Sequence, residues 1–347
     1  MLDLLKPEIS SVIDGIVGKK IMIYGPAGTG KTSNAAKAPK ALVICFENGL
    51  SAISGIANIK IRKWTDFQDV VKQLADPMKH TALKEKYECI IFDGVDYLEL
   101  LAQKYICGIY GAASIAAGNS GYGLWKEYGQ EIQNQLRLLD MSGFTLIFLD
   151  HASTRDFYDP AGAKYTKIYP AGDKRSIDPI INMCDIVGYT QFDAAVEGQP
   201  VQLATLYVRG NSAFEAKTRF DYMPSIITNW SYDKLTAAIV QAIKDSAVAT
   251  GTKPISEKEA DSKLVAESLA DAKNTLPVKE LVKRISNMLI RMKRETGNLN
   301  AYQDILVTKV GNPDFKCNAA NENQREVVEL VYRSLKELGY DDSDVIE

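Results

Sequence analysis

Eight consecutive residues, Gly25-Pro26-Ala27-Gly28-Thr29-Gly30-Lys31-Thr32, place three glycines, a lysine and a hydroxyl in the order G-x-x-x-x-G-K-T. Glycine admits backbone conformations that side chains forbid, so successive N–H groups of such a loop can turn inward around an anion. Lys31 adds a charge suited to β- and γ-phosphates, and the Thr32 hydroxyl is a ligand suited to Mg²⁺. The apolar run Ile21 to Tyr24 reads as a strand entering the loop, and Ser33 to Lys37 as the helix leaving it. Strand, loop and helix together make this a phosphate-binding P-loop spanning Gly25 to Ser33, with ATP and Mg²⁺ as the expected ligands.

Splitting ATP needs a carboxylate near the metal, a group that orients the attacking water, and positive charge that meets the transition state. Asp93 ends the apolar run Cys89-Ile90-Ile91-Phe92 and is placed to hold Mg²⁺ with Thr32. The next residues are Gly94, Val95 and Asp96, so no glutamate follows Asp93 to act as base. Glu47 ends the strand-like run after the P-loop helix, where strands of an open parallel sheet point into the ligand crevice. Asp150 and His151 end a third such run, and His151 can sense a γ-phosphate there or be satisfied by a backbone partner.

The elements that must position these residues are read from periodicity. Ala41–Gly49, Tyr87–Asp96 and Phe144–His151 are nearly continuous apolar runs separated by helical-length segments. Such runs predict an α/β fold, a mostly parallel sheet covered by helices on both faces. Val187–Phe192 and Ala204–Arg209 read as later strands joined by the turn Glu197-Gly198-Gln199-Pro200. With 347 residues, 46% hydrophobic and 24% charged, the chain can bury a sizeable core, and its net charge of −3 argues against a wholly basic nucleic-acid-coating protein. No apolar run approaches a membrane span, and the start MLDLLKPEIS lacks a signal-peptide pattern, so a cytoplasmic protein is expected. The five cysteines are widely spaced and the histidines number only two, a poor basis for a Cys/His zinc site and a better one for buried reduced thiols.

Composition changes near residue 245. The expected organisation is an ATPase core over 1–245, a polar linker over 246–263 and a small helical C-terminal domain over 264–347 that ends in the acidic tail DDSDVIE. Leu281, Ile285, Met288, Leu289 and Met292 share one helical face, which such a domain would bury.

The P-loop, the strand-end Glu47 and Asp93, the pair Asp150-His151 and the run Glu215-Ala216-Lys217-Thr218-Arg219-Phe220 together resemble the RecA-like ATPase core. The likeness is greatest to compact phage-encoded RecA-like proteins of recombination and single-strand annealing, and it covers roughly residues 15 to 230. It implies that Glu47 polarises water, that the residue at His151, often a glutamine in that family, reports nucleotide state, and that Lys217 and Arg219 reach a neighbouring subunit's nucleotide. Function would then require a ring or filament of this chain, and a replication or recombination protein could be a further partner.

Behind His151 lies a stretch of about thirty residues, ASTRDFYDPAGAKYTKIYPAGDKRSIDP, with little periodicity, which reads as a long functional loop. It interleaves Arg155, Lys164, Lys167, Lys174 and Arg175 with Phe157, Tyr158, Tyr165 and Tyr169, a mixture suited to stacking bases and pairing phosphates of single-stranded DNA. A lid over the nucleotide or a subunit-contact arm would use the same stretch. Residues 108–125 read as a second flexible, channel-facing loop. Alternatives to a recombination or annealing ATPase are a helicase-like motor or loader of a replication protein and, from another class, a P-loop kinase of small molecules or nucleotides.

Overall fold

The computed structural model describes residues 12–47, 49–50, 53–194, 203–256, 258–263, 277–321 and 324–340. The start MLDLLKPEIS, the turn 197–200 and the acidic tail from Asp341 lie outside these residues. The chain divides into two compact units, Met1–Ala266 and Glu267–Glu347.

The first unit is α/β. Six strands form its parallel centre: β1 (Lys20–Gly25), β2 (Ala41–Cys45), β3 (Ala57–Lys60), β4 (Cys89–Asp93), β5 (Thr145–Tyr158) and, after the antiparallel β6 (Lys164–Pro170), β7 (Ile186–Phe192). The short strands β8 (Ala204–Tyr207), β9 (Lys217–Thr218) and β10 (Ile226–Ile227) extend it, giving the order β10-β8-β7-β1-β5-β4-β2-β3 with β6 on β5 and β9 on β7. Side chains of a strand alternate between faces, and β1 shows the consequence. Met22 and Tyr24 enter one buried cluster with helices α2 (Trp64–Leu74), α4 (Leu98–Tyr110), α5 (Trp125–Asp140) and α6 (Lys174–Met183). Ile21 and Ile23 enter the other, with α1 (Lys31–Ala35) and α7 (Tyr232–Thr250), while α3 (Pro77–Lys86) follows α2. Each fully buried Ile or Phe contributes about 1.5–3 kcal/mol, so the two-sided burial fixes the sheet's register firmly.

Four expectations are corrected. The helix after the P-loop begins at Lys31 and stops at Ala35, because Pro39 cannot continue it and Lys40 takes a positive φ of 47°. The stretch behind His151 is no loop: β5 runs on to Tyr158, turns at Asp159–Ala163, and returns as β6, with Arg155 opposite Lys167 and Phe157 opposite Tyr165. Polar and aromatic residues alternate on both faces of this hairpin, so it lacks the apolar stripe that marks a half-buried strand. Within the linker expected over 246–263, the described residues 246–256 and 258–263 are also ordered. Helix α7 continues to Thr250, Ile255 bridges Ile13, and Asp261 pairs with Lys84 at 3.1 Å, so this segment packs on the first unit, which extends past the expected boundary at 245. Residues 108–125 are anchored as well, by the buried side chains of Ile115 and Leu124.

The second unit is helical, with α8 (Val278–Thr296), α9 (Asn300–Ile305) and α10 (Arg325–Glu337). Leu281, Ile285, Met288 and Met292 are buried and Leu289 packs against them, as their spacing predicts. Cys45, Cys89, Cys184 and Cys317 are buried free thiols, and burial pushes Cys89 up to about 12. Among the described residues no helix is long and apolar enough to cross a membrane.

Candidate functional site

The register of the parallel strands sets the candidate residues level with one another. Cys45 pairs with Asp93, Asp93 with Leu149, Tyr24 with Asp150 and Gly25 with His151, so Glu47, Asp93, Asp150, His151 and the P-loop all meet at the carboxyl edge. There they line one cavity of about 250 Å³, with Ala27, Gly28, Gly30, Lys31, Thr32 and Ser33 on the loop side.

The loop is held rigidly. Gly30 caps α1 at φ 78°, a left-handed conformation that costs other residues strain, and a Cβ on Gly25 would stand 2.3 Å from the Thr190 carbonyl oxygen. The Thr29 hydroxyl donates to the Pro26 carbonyl at 2.9 Å. Trp230 backs the loop from below: its indole N–H donates to the Thr29 carbonyl at 3.2 Å, and its own carbonyl accepts from the Asn34 amide at 3.3 Å. The sequence offered no signal for Trp230, which is some two hundred residues away along the chain. Trp230→Ala is expected to lower unfolding free energy by about 3–5 kcal/mol and Trp230→Phe by much less, measurable by urea denaturation.

Lys31 is buried and folded back, donating to the carbonyls of Gly25 at 2.8 Å and Pro26 at 2.9 Å. Burial lowers its pKa, while Asp150, Asp93, Glu47 and Asp96 work the other way. The Thr32 hydroxyl donates to Asp93, 3.1 Å from Oδ1 and 3.2 Å from Oδ2. Burial raises the Asp93 pKa, Glu47 nearby adds to the rise, and the Thr32 hydrogen bond opposes it. An alcohol oxygen and a carboxylate already in contact at the mouth of the loop are a donor set that fits Mg²⁺. Glu47 rests against Gly94: a Cβ there would stand 3.0 Å from Glu47 Cγ. The Phe46 N–H donates to the Asp93 carbonyl at 3.0 Å and so ties the Glu47 segment to β4.

The remaining candidates lie elsewhere. Lys217 pairs with Val187 near the amino ends of the parallel strands, the edge opposite Gly25. Lys217 donates to the Asn182 carbonyl at 3.2 Å, and Arg219 donates to the same carbonyl at 2.8 Å and to Asp185 at 3.0 Å. Neither reaches this chain's own cavity. On the hairpin the cations are matched by carboxylates, Arg155 with Asp178 at 2.7 Å, Lys167 with Glu215 at 2.7 Å and Lys164 with Asp156 at 2.9 Å, and on α6 Arg175 lies 3.6 Å from Asp173. Phe157 stacks on Tyr165 and packs on the core, whereas Tyr158, at 70% exposure, and Lys174 face solvent. Tyr24, the last residue before the P-loop, donates its hydroxyl to the Glu215 carbonyl at 2.6 Å, and the Ala171 N–H donates to the His151 carbonyl at 2.9 Å. The Tyr24 hydroxyl also lies 3.2 Å from the Ile168 carbonyl of β6, so the root of the hairpin is tied to the strand that carries the loop.

Residues 17–220 match the family described as an AAA domain. The SPbeta prophage-derived uncharacterized protein YorG of Bacillus subtilis (strain 168) is 32% identical over 337 residues, which cover 97% of this chain and 98% of the relative. With a P-loop at the carboxyl edge of a mostly parallel sheet and this match over more than half its length, the chain belongs to the AAA-domain family of P-loop ATPases.

Proposed function

We propose that the chain is a Mg²⁺-dependent, RecA-like ATPase that works as an oligomer on single-stranded DNA in phage-type recombination, annealing or replication. The observation that carries the ATPase reading is the convergence of Lys31, Thr32, Asp93 and Glu47 on one cavity at the end of β1, β2 and β4. In this reading Lys31 leaves the loop carbonyls for the β- and γ-phosphates, Thr32 and Asp93 hold Mg²⁺, and Glu47 orients the attacking water. When bound, Mg²⁺ neutralises phosphate charge. Among the described residues no arginine lines the cavity, which disfavours a kinase with an arginine-rich lid.

The finer parts rest on separate observations. The relative's prophage origin supports a phage setting. Lys217 and Arg219, remote from their own cavity, are available to complete a neighbour's, which would make hydrolysis depend on assembly. The β5–β6 hairpin joins His151 to the exposed Tyr158 and Tyr165 and to Lys164, over which DNA would have to displace Asp156.

The test is the steady-state ATPase rate of wild type and Lys217→Ala, with and without single-stranded DNA, over a range of protein concentrations. Wild-type turnover is expected to rise with both DNA and concentration, and Lys217→Ala to lose that rise by roughly 10³-fold while retaining ATP affinity, as for a charge supplied in trans. Lys217 is the cleaner choice because Arg219 also holds Asp185, whose carboxylate accepts from the Lys20 N–H at 2.9 Å. Turnover indifferent to DNA and to concentration would remove the DNA and oligomer assignments and leave the ATPase.

A further inference from the structure

Beside the cavity, one group of side chains has an unmet bonding demand. Asp96, in the turn after β4, faces Asp150 and His151 on β5, and one ligand atom from each lies within 4.8 Å of the other two. His151 Nδ1 is 3.1 Å from Asp96 Oδ2, and the His151 N–H donates to Asp150 Oδ1 at 2.8 Å. The other two carboxylate oxygens, Asp150 Oδ2 and Asp96 Oδ1, are buried without a hydrogen-bond partner among the described residues. Asp150 is only 1% exposed. The Asp96 backbone N–H acts on the Asp150 carboxyl as a hydrogen-bond donor, favouring its ionised form, and still leaves Oδ2 unpaired. A buried carboxylate oxygen left unpaired costs at least as much as a lost hydrogen bond, so such atoms in a native fold point to something that binds there.

Charge points the same way. Glu47, Asp93, Asp96 and Asp150 all act on the single ammonium of Lys31. A triphosphate entering the cavity adds further negative charge. The Asp96–Asp150 pair then needs a positive charge of its own.

We propose that Asp96, Asp150 and His151 form a second cation site, distinct from Thr32 and Asp93, that takes a first-row divalent transition ion such as Mn²⁺ or Zn²⁺. The imidazole decides the class. Mg²⁺ and Ca²⁺ select all-oxygen ligand sets, whereas an imidazole beside two carboxylates suits transition ions. Three protein ligands leave coordination positions for water or a phosphate oxygen. Because His151 directly precedes the part of β5 paired with β6, the ion fixes the strand at the root of the hairpin. This site gives His151 a ligand's role and does not depend on hydrolysis, so it is tested without nucleotide, and its failure leaves the ATPase reading standing.

The experiment is a Mn²⁺ titration of the full-length, nucleotide-free protein, followed by electron paramagnetic resonance in excess Mg²⁺, which occupies the oxygen-only site. One equivalent of Mn²⁺ is expected to stay bound and to show a nitrogen coupling from imidazole in the pulsed spectrum. His151→Gln and Asp96→Asn are each expected to weaken binding at least about tenfold, the smallest loss usual even for residues behind the ligands. Thr32→Ala is expected to leave it unchanged. Release of all Mn²⁺ by Mg²⁺, bound Mn²⁺ without nitrogen coupling, or affinity indifferent to both substitutions would overturn the site and assign the unpaired oxygens to a shared proton. Should a variant lose its native circular dichroism, the Mg²⁺ competition and the nitrogen coupling of the wild type decide alone.

Discussion

Lys31→Met is expected to weaken nucleotide binding severely while leaving the fold intact. Hydrogen bonds to charged groups contribute about 1.5–3 kcal/mol each. Losing two at the phosphates weakens binding by roughly 10²- to 10⁴-fold, readable by titration of a fluorescent ATP analogue. The fold should not suffer, because burial lowers the Lys31 pKa and the nucleotide-free protein therefore carries that ammonium at a cost. Of the two carbonyls it bonds, that of Pro26 belongs to an exposed residue that water can reach once the side chain is gone. Thermal unfolding without nucleotide is expected to be unchanged or slightly raised. A variant that unfolds early would mean that Lys31 is a structural strut of the loop, and a variant that binds ATP normally would remove it from the phosphate site.

The contrast between Lys31 and the hairpin shows what was legible in the sequence. The P-loop could be read because its chemistry is local: eight consecutive residues make the cradle, and the apolar run before it is the strand that carries it. Glu47 and Asp93 could be read because acids that end continuous apolar runs must emerge at the carboxyl edge of a parallel sheet, where the register does set them side by side. What failed was everything decided by pairing across the chain. β5 and β6 hold each other by backbone hydrogen bonds that need no apolar stripe, so Arg155 to Lys167 looked like a loop. Acids such as Asp156 and Asp178 stand in the same stretch, but which cation each one pairs with, and that Lys167 meets Glu215, depends on the fold. Asp96, three residues after Asp93, drew notice only as an absent glutamate; its place beside Asp150 and His151 arises from β4 and β5 being neighbours. The segment 246–263 is polar along its length and still packs, through one bridge at Ile255 and one ion pair at Asp261, neither of which composition reveals.

Glu47→Gln separates binding from chemistry. Its carboxylate sits beside Asp93, whose pKa it helps to raise, and so adds like charge to a place that must accept Mg²⁺-bound phosphates. Removing that charge with an isosteric amide keeps the contact with Gly94 and lowers the repulsion, so ATP affinity is expected to be equal to wild type or tighter. Turnover is expected to fall by about 10²- to 10⁴-fold, the contribution of a positioned acid–base group. Loss of turnover without loss of affinity identifies an interaction made only in the transition state. Stopped-flow binding and single-turnover hydrolysis on the same preparation give both numbers. The rival is His151, which also lines the cavity. If Glu47→Gln turns over within about threefold of wild type, well short of what such a group supplies, then the water is oriented from β5 and Glu47 is an electrostatic neighbour of the metal. Relief of the Glu47–Asp93 repulsion is expected to raise thermal stability of the nucleotide-free protein whichever residue is the base, so that rise shows the substituted protein is folded and the rate alone assigns the chemistry.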